Sequence, residues 1–194
     1  MLSKRENLLE TIRGGHPDRF VNQYEAFKII SKNPYSVNNP NPEYGGEPVV
    51  NAWGITRAWP AGTPGVFPVH DAEHTVCKDI TEWRKYVKAP SVQYSAEEWE
   101  PYIKLAEEVD RKEYFATHFC APGIFEQLHN LQGMQDCLIN FYEEPEATQE
   151  LIDYLVEWEL EYAEVICKYL KPDAVLHHDD WGSQISTFLS PAMF

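Results

Sequence analysis

The sequence predicts an α/β fold in which strands alternate with helices and pair in parallel. Three observations support this prediction. Short apolar segments alternate with amphipathic helical segments. The connections between them are long enough for parallel crossovers. Polar residues follow two of the predicted strands directly. Because ligands of parallel α/β folds bind beyond the carboxyl ends of the strands, these polar residues are the first site candidates.

The first part of the chain contains a helix, a strand and a long excursion. Residues 3–13 carry apolar side chains at helical spacing and precede Gly14-Gly15, a helix C-terminal signal. RFVNQY, residues 19–24, is predicted as the first strand. The segment at about 33–68 is rich in Pro, Gly and Asn and is interrupted by the strand-like VVNAWGIT. We expect this excursion to pack over a surface and to carry function.

The second part alternates helices and strands more clearly. DITEWRKYVK and SAEEWEPYIKLAEEVD are predicted helices, the latter with a capping box of Ser95 and Glu98. YFATHFCAPG is a predicted strand, IFEQLHNLQG and GMQDCLINFYEE are predicted helices, and AVLHH is a predicted buried strand. A long helix is predicted from Pro145 to about Leu170. Its apolar stripe has helical spacing: Leu151, Leu155, Trp158, Tyr162, Val165 and Tyr169.

The composition excludes some classes of function. With 16 Lys and Arg against 31 Asp and Glu, the net charge is −15, which disfavours nucleic acid and membrane surfaces as partners. No segment has the length and apolarity of a membrane span or a signal peptide. The four cysteines form no CxxC pair, which indicates reduced thiols and a cytoplasmic protein.

The segment VLHHDDWGSQ holds the leading catalytic candidates, His177, His178, Asp179 and Asp180. Strand alternation places His177 and Asp179 on one face and His178 and Asp180 on the other, so only one pair faces a site. An Asp there can act as a general acid or base, and a His can hydrogen-bond or bind a metal. Alternatively, Asp caps backbone N–H groups and His is satisfied within the packing.

Two patterns raise the question of a metal. His118 and Cys120 lie two apart in a predicted strand, so both side chains point the same way, and imidazole with thiolate suits zinc. Two ligands do not make a site, and a plain turn after the strand is the favoured interpretation. His70, His74 and Cys77 have helical spacing in a segment that is not predicted to be helical, so the spacing is interpreted as coincidence.

Substrate contacts are predicted near the first strand and in the excursion. Asn22, Gln23, Tyr24 and Glu25 follow the predicted first strand, where Glu25 can pair with a cation, take a proton or be a solvated loop carboxylate. Trp53 can stack on an aromatic ligand or simply pack.

Four segments, in order, resemble the uroporphyrinogen decarboxylase superfamily and its branch of corrinoid-linked methyltransferases. RENLLETIRGGHPDRF resembles the opening helix and approach to the first strand, and VCKDITEWRKYVKAP a segment before a Lys-x-Pro exit. FCAPGIFEQLHNLQGMQDCLINFYEEPE resembles the strand-turn-helix with a Gly-Met and a Pro-Glu helix start. HHDDWGSQISTFLSPAMF resembles the strand-end Asp-Asp-Trp-Gly followed by Ser-Pro-x-Met-Phe.

The resemblance implies a (β/α)8 TIM barrel of about twice this length. Residues 1–194 are then the N-terminal part of one barrel domain, in agreement with the helix-start signal at Ser190-Pro191. The branch moves a methyl group between a small methylated donor, of the methoxy-aromatic (O-demethylase) or methylamine type, and a corrinoid protein. It also uses zinc, whose ligands lie in the second half of the barrel. The chain alone is therefore expected to be catalytically silent.

Two other functions stay open. Porphyrinogen decarboxylases carry an Arg-rich loop after the first strand, whereas NQYEAFKII at that place has no arginine, and their Phe-Ser-Asp strand end is missing. These departures favour the methyltransferase branch over tetrapyrrole biosynthesis. The second alternative is an inactive half-barrel fragment that self-associates, as a homodimer, through its exposed sheet edge.

Overall fold

The computed structural model describes residues 1–193 and has a mixed α/β fold. The strands are β1 (Phe27–Ile30), β2 (Val49–Val50), β3 (Thr56–Ala58), β4 (Phe67–Pro68), β5 (Phe115–Cys120) and β6 (Ala174–His177). The helices are α1 (Lys4–Arg13), α2 (Pro34–Val37), α3 (Trp83–Tyr86), α4 (Ala96–Glu107), α5 (Ile124–Gln132), α6 (Met134–Glu143) and α7 (Pro145–Leu170). A 3-10 turn, Ile80–Glu82, precedes α3. The chain divides into two compact units.

The first unit comprises residues 1–34, 93–120 and 162–177 and contains a parallel sheet. Its strand order is β1-β5-β6, with Ile30 beside His118 and His118 beside Val175. The parallel α/β prediction is therefore confirmed. Within residues 1–193 this sheet is open and forms no closed barrel.

Helix caps in this unit agree with the sequence patterns. Ser3 and Glu6 form a capping box at the start of α1, and Gly14 ends the helix in the left-handed conformation, with φ of 66°. Ser95 and Glu98 form the predicted capping box of α4. The rings of Trp99 and Tyr169 stack with their centroids 4.7 Å apart, so the apolar stripe of α7 packs inward as predicted.

The second unit comprises residues 35–92, 121–161 and those from 178 onward. The excursion folds here into a small antiparallel sheet of order β2-β3-β4. VVNAWGIT is not one strand but a hairpin, because the Asn51 side chain accepts hydrogen bonds from the N–H groups of Trp53 and Ile55. A hydrophobic core includes side chains from this segment and from α5, α6 and α7: Trp53, Ile55, Phe125, Leu128, Leu131, Cys137, Leu151 and Leu155.

The prediction of the first strand is wrong. Residues 22–25 form a turn in which the Glu25 N–H donates to the Asn22 carbonyl at 2.8 Å, and β1 begins only at Phe27. The Glu25 carboxylate also accepts the Asn22 N–H at 3.0 Å. This side-chain bond gives the backbone a local alternative to strand pairing.

Two further predictions concern the last part of the chain: a buried strand at AVLHH and a helix that begins at Ser190-Pro191. The strand β6 is not buried, because β5 is its only neighbour among the described strands and Val175 is 54% exposed. Residues 191–193 form a turn, with the Met193 N–H donating to the Ser190 carbonyl at 2.9 Å, and Phe194 lies outside the described residues.

No described helix combines the length and apolarity needed to cross a membrane.

Replacing Leu155 by Ala tests the core of the second unit. Leu155 is 1% exposed, so the substitution should lower the free energy of unfolding by about 2–5 kcal/mol through lost burial and a residual cavity. Leu160 on the same helix is 61% exposed, and Leu160→Ala is the matched control with an effect within about 0.5 kcal/mol. Urea unfolding measures both, and equal effects would contradict the described core.

Candidate functional site

The segment after β6 is held at the start of α5 by one carboxylate. The two oxygens of Asp179 accept the N–H groups of Phe125 at 3.0 Å and Glu126 at 2.8 Å. These donors belong to the first turn of α5, where N–H groups have no partner within the helix. The N-cap residue is Gly123, which has no side chain to accept a hydrogen bond from these N–H groups. Asp179 therefore caps α5 from a distant part of the chain, and its negative charge faces the positive end of the helix.

Gly123 makes this approach possible. A Cβ atom at position 123 would come within 2.5 Å of the Cβ and Cγ atoms of Asp179 and 2.7 Å of the His178 carbonyl oxygen. Side-chain atoms do not tolerate such distances. The absence of a side chain at Gly123 is therefore required for the cap.

The neighbouring residues form a row of polar contacts around the His178 ring. The His178 Nδ1 atom lies 3.1 Å from a carboxylate oxygen of Glu126, and the Nε2 atom lies 4.0 Å from a carboxylate oxygen of Asp180. One imidazole thus stands between two carboxyl groups that approach opposite ring nitrogens. We call Glu126, His178, Asp179 and Asp180 the carboxylate–histidine cluster.

Glu126 has an unusual protonation equilibrium for a glutamate. Burial raises the pKa of its carboxyl, and the nearby Asp180 carboxylate raises it further, while the hydrogen bond with His178 acts in the opposite direction. A carboxyl whose pKa is raised stays protonated to a higher pH than usual. Glu126 can therefore donate a proton under conditions where an ordinary glutamate is already ionised.

Two more side chains, Arg57 and His129, interact electrostatically with the cluster, and a third, His70, acts on His129. Arg57 on β3 is half-buried, and burial lowers the pKa of its guanidinium while Glu126 raises it. His129 follows Glu126 by one turn of α5; burial lowers its pKa, and the carboxylate of Asp180 raises it. His70 bonds through Nε2 to the Asn130 carbonyl at 3.1 Å and also acts on His129.

The four leading candidates are thus divided between the two units. His178 and Asp180 approach each other, but both lie beyond the end of β6, so strand alternation does not account for their contact. Asp179 has the backbone-capping position of the alternative interpretation. His177 ends β6 in the other unit, opposite Cys120, and a ring nitrogen lies within 4.8 Å of the Cys120 Sγ atom. A catalytic role for any of the four stays a prediction.

His118 and Cys120 do not fit a zinc site by themselves. His118 is buried, its Nδ1 atom lies 3.3 Å from the Ile30 carbonyl oxygen, and burial lowers the pKa of the ring. Its Nε2 atom has no hydrogen-bond partner among the described residues. Within residues 1–193, however, His118 belongs to no set of three His, Cys, Asp or Glu ligand atoms within 4.8 Å of one another.

Asn22, Gln23, Tyr24 and Glu25 lie before β1, not after it as predicted. They are therefore at the amino end of that strand, opposite to the end where parallel sheets bind ligands. Arg19 donates to both oxygens of Glu25, and this pairing lowers the pKa of Glu25 to about 2. Such a group is a poor proton acceptor at neutral pH, so the proposal that Glu25 takes a proton is not supported.

Two other sequence features also have structural explanations: the Trp53 side chain, and the pattern of His70, His74 and Cys77. Trp53 is 4% exposed, its ring meets Trp158 edge-on, and its Nε1–H donates to the Tyr35 hydroxyl at 3.1 Å. It is not placed to stack on a ligand. His74 pairs with Asp71, and burial raises the pKa of the Cys77 thiol to about 11.

Sequence reasoning missed Glu126, His129 and Arg57. Glu126 lies in the first turn of α5, where an acidic residue has a sufficient explanation in the helix dipole. A usable signal was the spacing of Glu126 and His129, which places both on one helix face soon after a strand. Arg57 had no such signal, because its position depends on the fold of the excursion.

Comparison with protein-family models, with curated proteins and with solved structures gave no match.

Replacing Asp179 by Ala should lower the free energy of unfolding by about 0.5–2 kcal/mol, because the N–H groups of Phe125 and Glu126 lose their acceptor. Asp179→Asn keeps one carbonyl oxygen and should fall between wild type and Ala. Asp180→Ala, at an exposed position, is the control with a change within about 0.5 kcal/mol. Chemical denaturation gives all three values, and no loss in Asp179→Ala would show that the cap contributes nothing.

Proposed function

We propose that this chain is part of a uroporphyrinogen decarboxylase-like (β/α)8 barrel whose carboxylate–histidine cluster serves methyl transfer from a small methylated donor to a corrinoid protein. The observation that carries the proposal is the position of the His178 ring between the carboxyl groups of Glu126 and Asp180. Burial, which raises the pKa of Glu126, supports it. The resemblance supplies the reaction class, and the cluster supplies the acid–base chemistry that the reaction needs.

The proposed role of Glu126 is that of a general acid. When a methyl group leaves an aromatic ether, the C–O bond breaks and its electron pair stays on the oxygen. A proton transferred from the Glu126 carboxyl to that oxygen neutralises it, so the aromatic product carries a hydroxyl group where the ether was. The His178 Nδ1–H group is placed to donate a hydrogen bond to the carboxylate left on Glu126, and Asp180 lies on the other side of the ring.

A corrinoid carried by a partner protein supplies the nucleophile that accepts the methyl group. Zinc is the other group that the resemblance implies. His118 belongs to no group of three possible ligands among the described residues, so His118 and Cys120 together do not supply a zinc site. The residues of this chain are proposed to bind the donor, orient it and supply the proton.

The charge of the cluster favours methyl transfer over porphyrinogen decarboxylation. Three carboxyl groups and one imidazole make up the cluster, and Arg57 is the guanidinium that acts on it. A substrate with several carboxylates would be repelled by Asp179 and Asp180 and would need more cations than this. A neutral or cationic methylated donor faces no such repulsion.

Ligand binding tests the proposal without requiring turnover. Calorimetry of the purified chain with 2-methoxyphenol, trimethylamine and uroporphyrin should detect one of the two methylated compounds. Glu126→Gln should bind that compound with an affinity that no longer depends on pH, because its amide donates a hydrogen bond but carries no titratable proton. In wild type, affinity for an ether donor should fall as pH rises through the raised pKa of Glu126, since only the protonated form donates.

Glu143→Gln, at an exposed position of α6, is the control and should bind like wild type. Binding of uroporphyrin alone would replace the proposal by the decarboxylase alternative. If none of the three compounds binds, both the methyltransferase proposal and the decarboxylase alternative are contradicted. The chain alone should transfer no methyl group to cob(I)alamin, and a transfer would contradict only the expected dependence on a second half-barrel.

A second candidate, a self-associating half-barrel without activity, is favoured by the open sheet. Among described strands, β1 and β6 each have a single neighbour, and apolar side chains of the sheet are exposed: Ile29, Phe119 and Val175. Open edges and apolar faces associate with copies of themselves.

Sedimentation at several concentrations tests this candidate. If the sheet mediates association, Val175→Lys should shift the chain toward monomer, whereas Ile12→Lys, on the exposed side of α1, should not. Purely monomeric wild-type protein would exclude the homodimer.

A further inference from the structure

Cys120 lies beside a histidine at the carboxyl end of the parallel sheet. Cys120 is the last residue of β5, His177 is the last residue of β6, and the two are partners in the parallel register. Because paired strands lie about 4.7–4.9 Å apart, side chains in register project side by side from the same face of the sheet. A ring nitrogen of His177 accordingly lies within 4.8 Å of the Cys120 Sγ atom.

The pair is placed where a small reagent can reach it. Cys120 is half-buried and His177 is exposed. Both residues belong to the first unit, and each ends its strand at the edge of the sheet where parallel α/β proteins bind small molecules. The partial burial of the thiol favours small reagents over bulky ones.

The four cysteines of the chain have different surroundings. Cys77 and Cys137 are buried, and burial raises the pKa of their thiols to about 11 and about 12. Such thiols stay protonated at neutral pH, whereas the nucleophile is the thiolate. Cys167 is exposed on α7. Cys120 combines partial exposure with a neighbouring imidazole, which is the microenvironment of a reactive cysteine.

An imidazole beside a thiol promotes two steps of nucleophilic chemistry. The protonated ring stabilises the thiolate through its positive charge. The same ring then holds a proton that it can give to a leaving group. Electrophiles that release a basic oxygen benefit from both effects, and the hydroperoxides are small molecules of this class.

We propose that Cys120 and His177 form a reactive thiol site at which a hydroperoxide oxidises Cys120 to a sulfenic acid. The thiolate sulfur attacks the terminal oxygen of the hydroperoxide, so an S–O bond forms and the O–O bond breaks. The sulfur is oxidised and the peroxide is reduced. The leaving oxygen takes the proton of the His177 imidazolium and departs as an alcohol, or as water when the oxidant is hydrogen peroxide. This site goes beyond the proposed methyl transfer, because neither residue belongs to the carboxylate–histidine cluster.

Hydrogen peroxide and dimedone, which traps sulfenic acids, test the site on the full chain, with mass spectrometry of the peptides as the measurement. Cys120 should be oxidised about tenfold faster than the exposed Cys167. His177→Gln should slow the oxidation of Cys120 by about a hundredfold, because an amide carries no positive charge and delivers no proton. His16→Gln, which removes an exposed histidine elsewhere in the same unit, is the matched control and should react like wild type.

Alkylation by iodoacetamide separates proton delivery from a structural role of His177. Iodide leaves without a proton, so His177→Gln should slow the alkylation of Cys120 less than its oxidation. The buried Cys77 and Cys137 report the fold, since they should stay unlabelled in every folded variant. Equal losses in the two reactions, or none in either, would overturn the proposal. In wild type, which requires no variant to fold, equal oxidation of Cys120 and Cys167 would also overturn it.

Discussion

The capping of α5 by Asp179 is the interaction on which the arrangement of the candidate site depends. Helix N-termini expose N–H groups that need an acceptor, and Gly123 offers no side chain to supply one. The carboxylate of Asp179, 53 and 54 residues away in sequence, supplies it for Glu126 and Phe125. The same contact brings His178 and Asp180 to the first turn of α5, because they are the immediate chain neighbours of Asp179.

This cap also contributes to the electrostatics of Glu126. Burial is the first cause of the raised pKa of the Glu126 carboxyl, the charge of Asp180 is the second, and that of Asp179 is a smaller one. Asp179 reaches the first turn of α5 through the cap, and Asp180 follows it in the chain. The cap therefore brings to Glu126 the two carboxyl groups that add to the effect of burial.

The sequence predicted the elements whose signals are local. The capping box of Ser95 and Glu98, the C-terminal Gly14 and the apolar stripe of α7 all depend on residues within a few turns of one another, and the structure has them as expected. The first strand was misplaced because the Asn22–Glu25 turn is stabilised by a side chain, and residue preferences alone do not reveal such a bond. The excursion was recognised, but its hairpin depends on the Asn51 side chain.

The candidate site was only half predictable for the same reason. His178, Asp179 and Asp180 were found because they are consecutive and follow a strand. Glu126 and His129 were missed because their meaning depends on a contact across more than fifty residues, which no pattern in one sequence specifies. The two interpretations of the Asp pair, catalysis and capping, were also not exclusive. Asp179 caps the helix, and by doing so it places Glu126 and His178 in the contact from which the proposed chemistry follows.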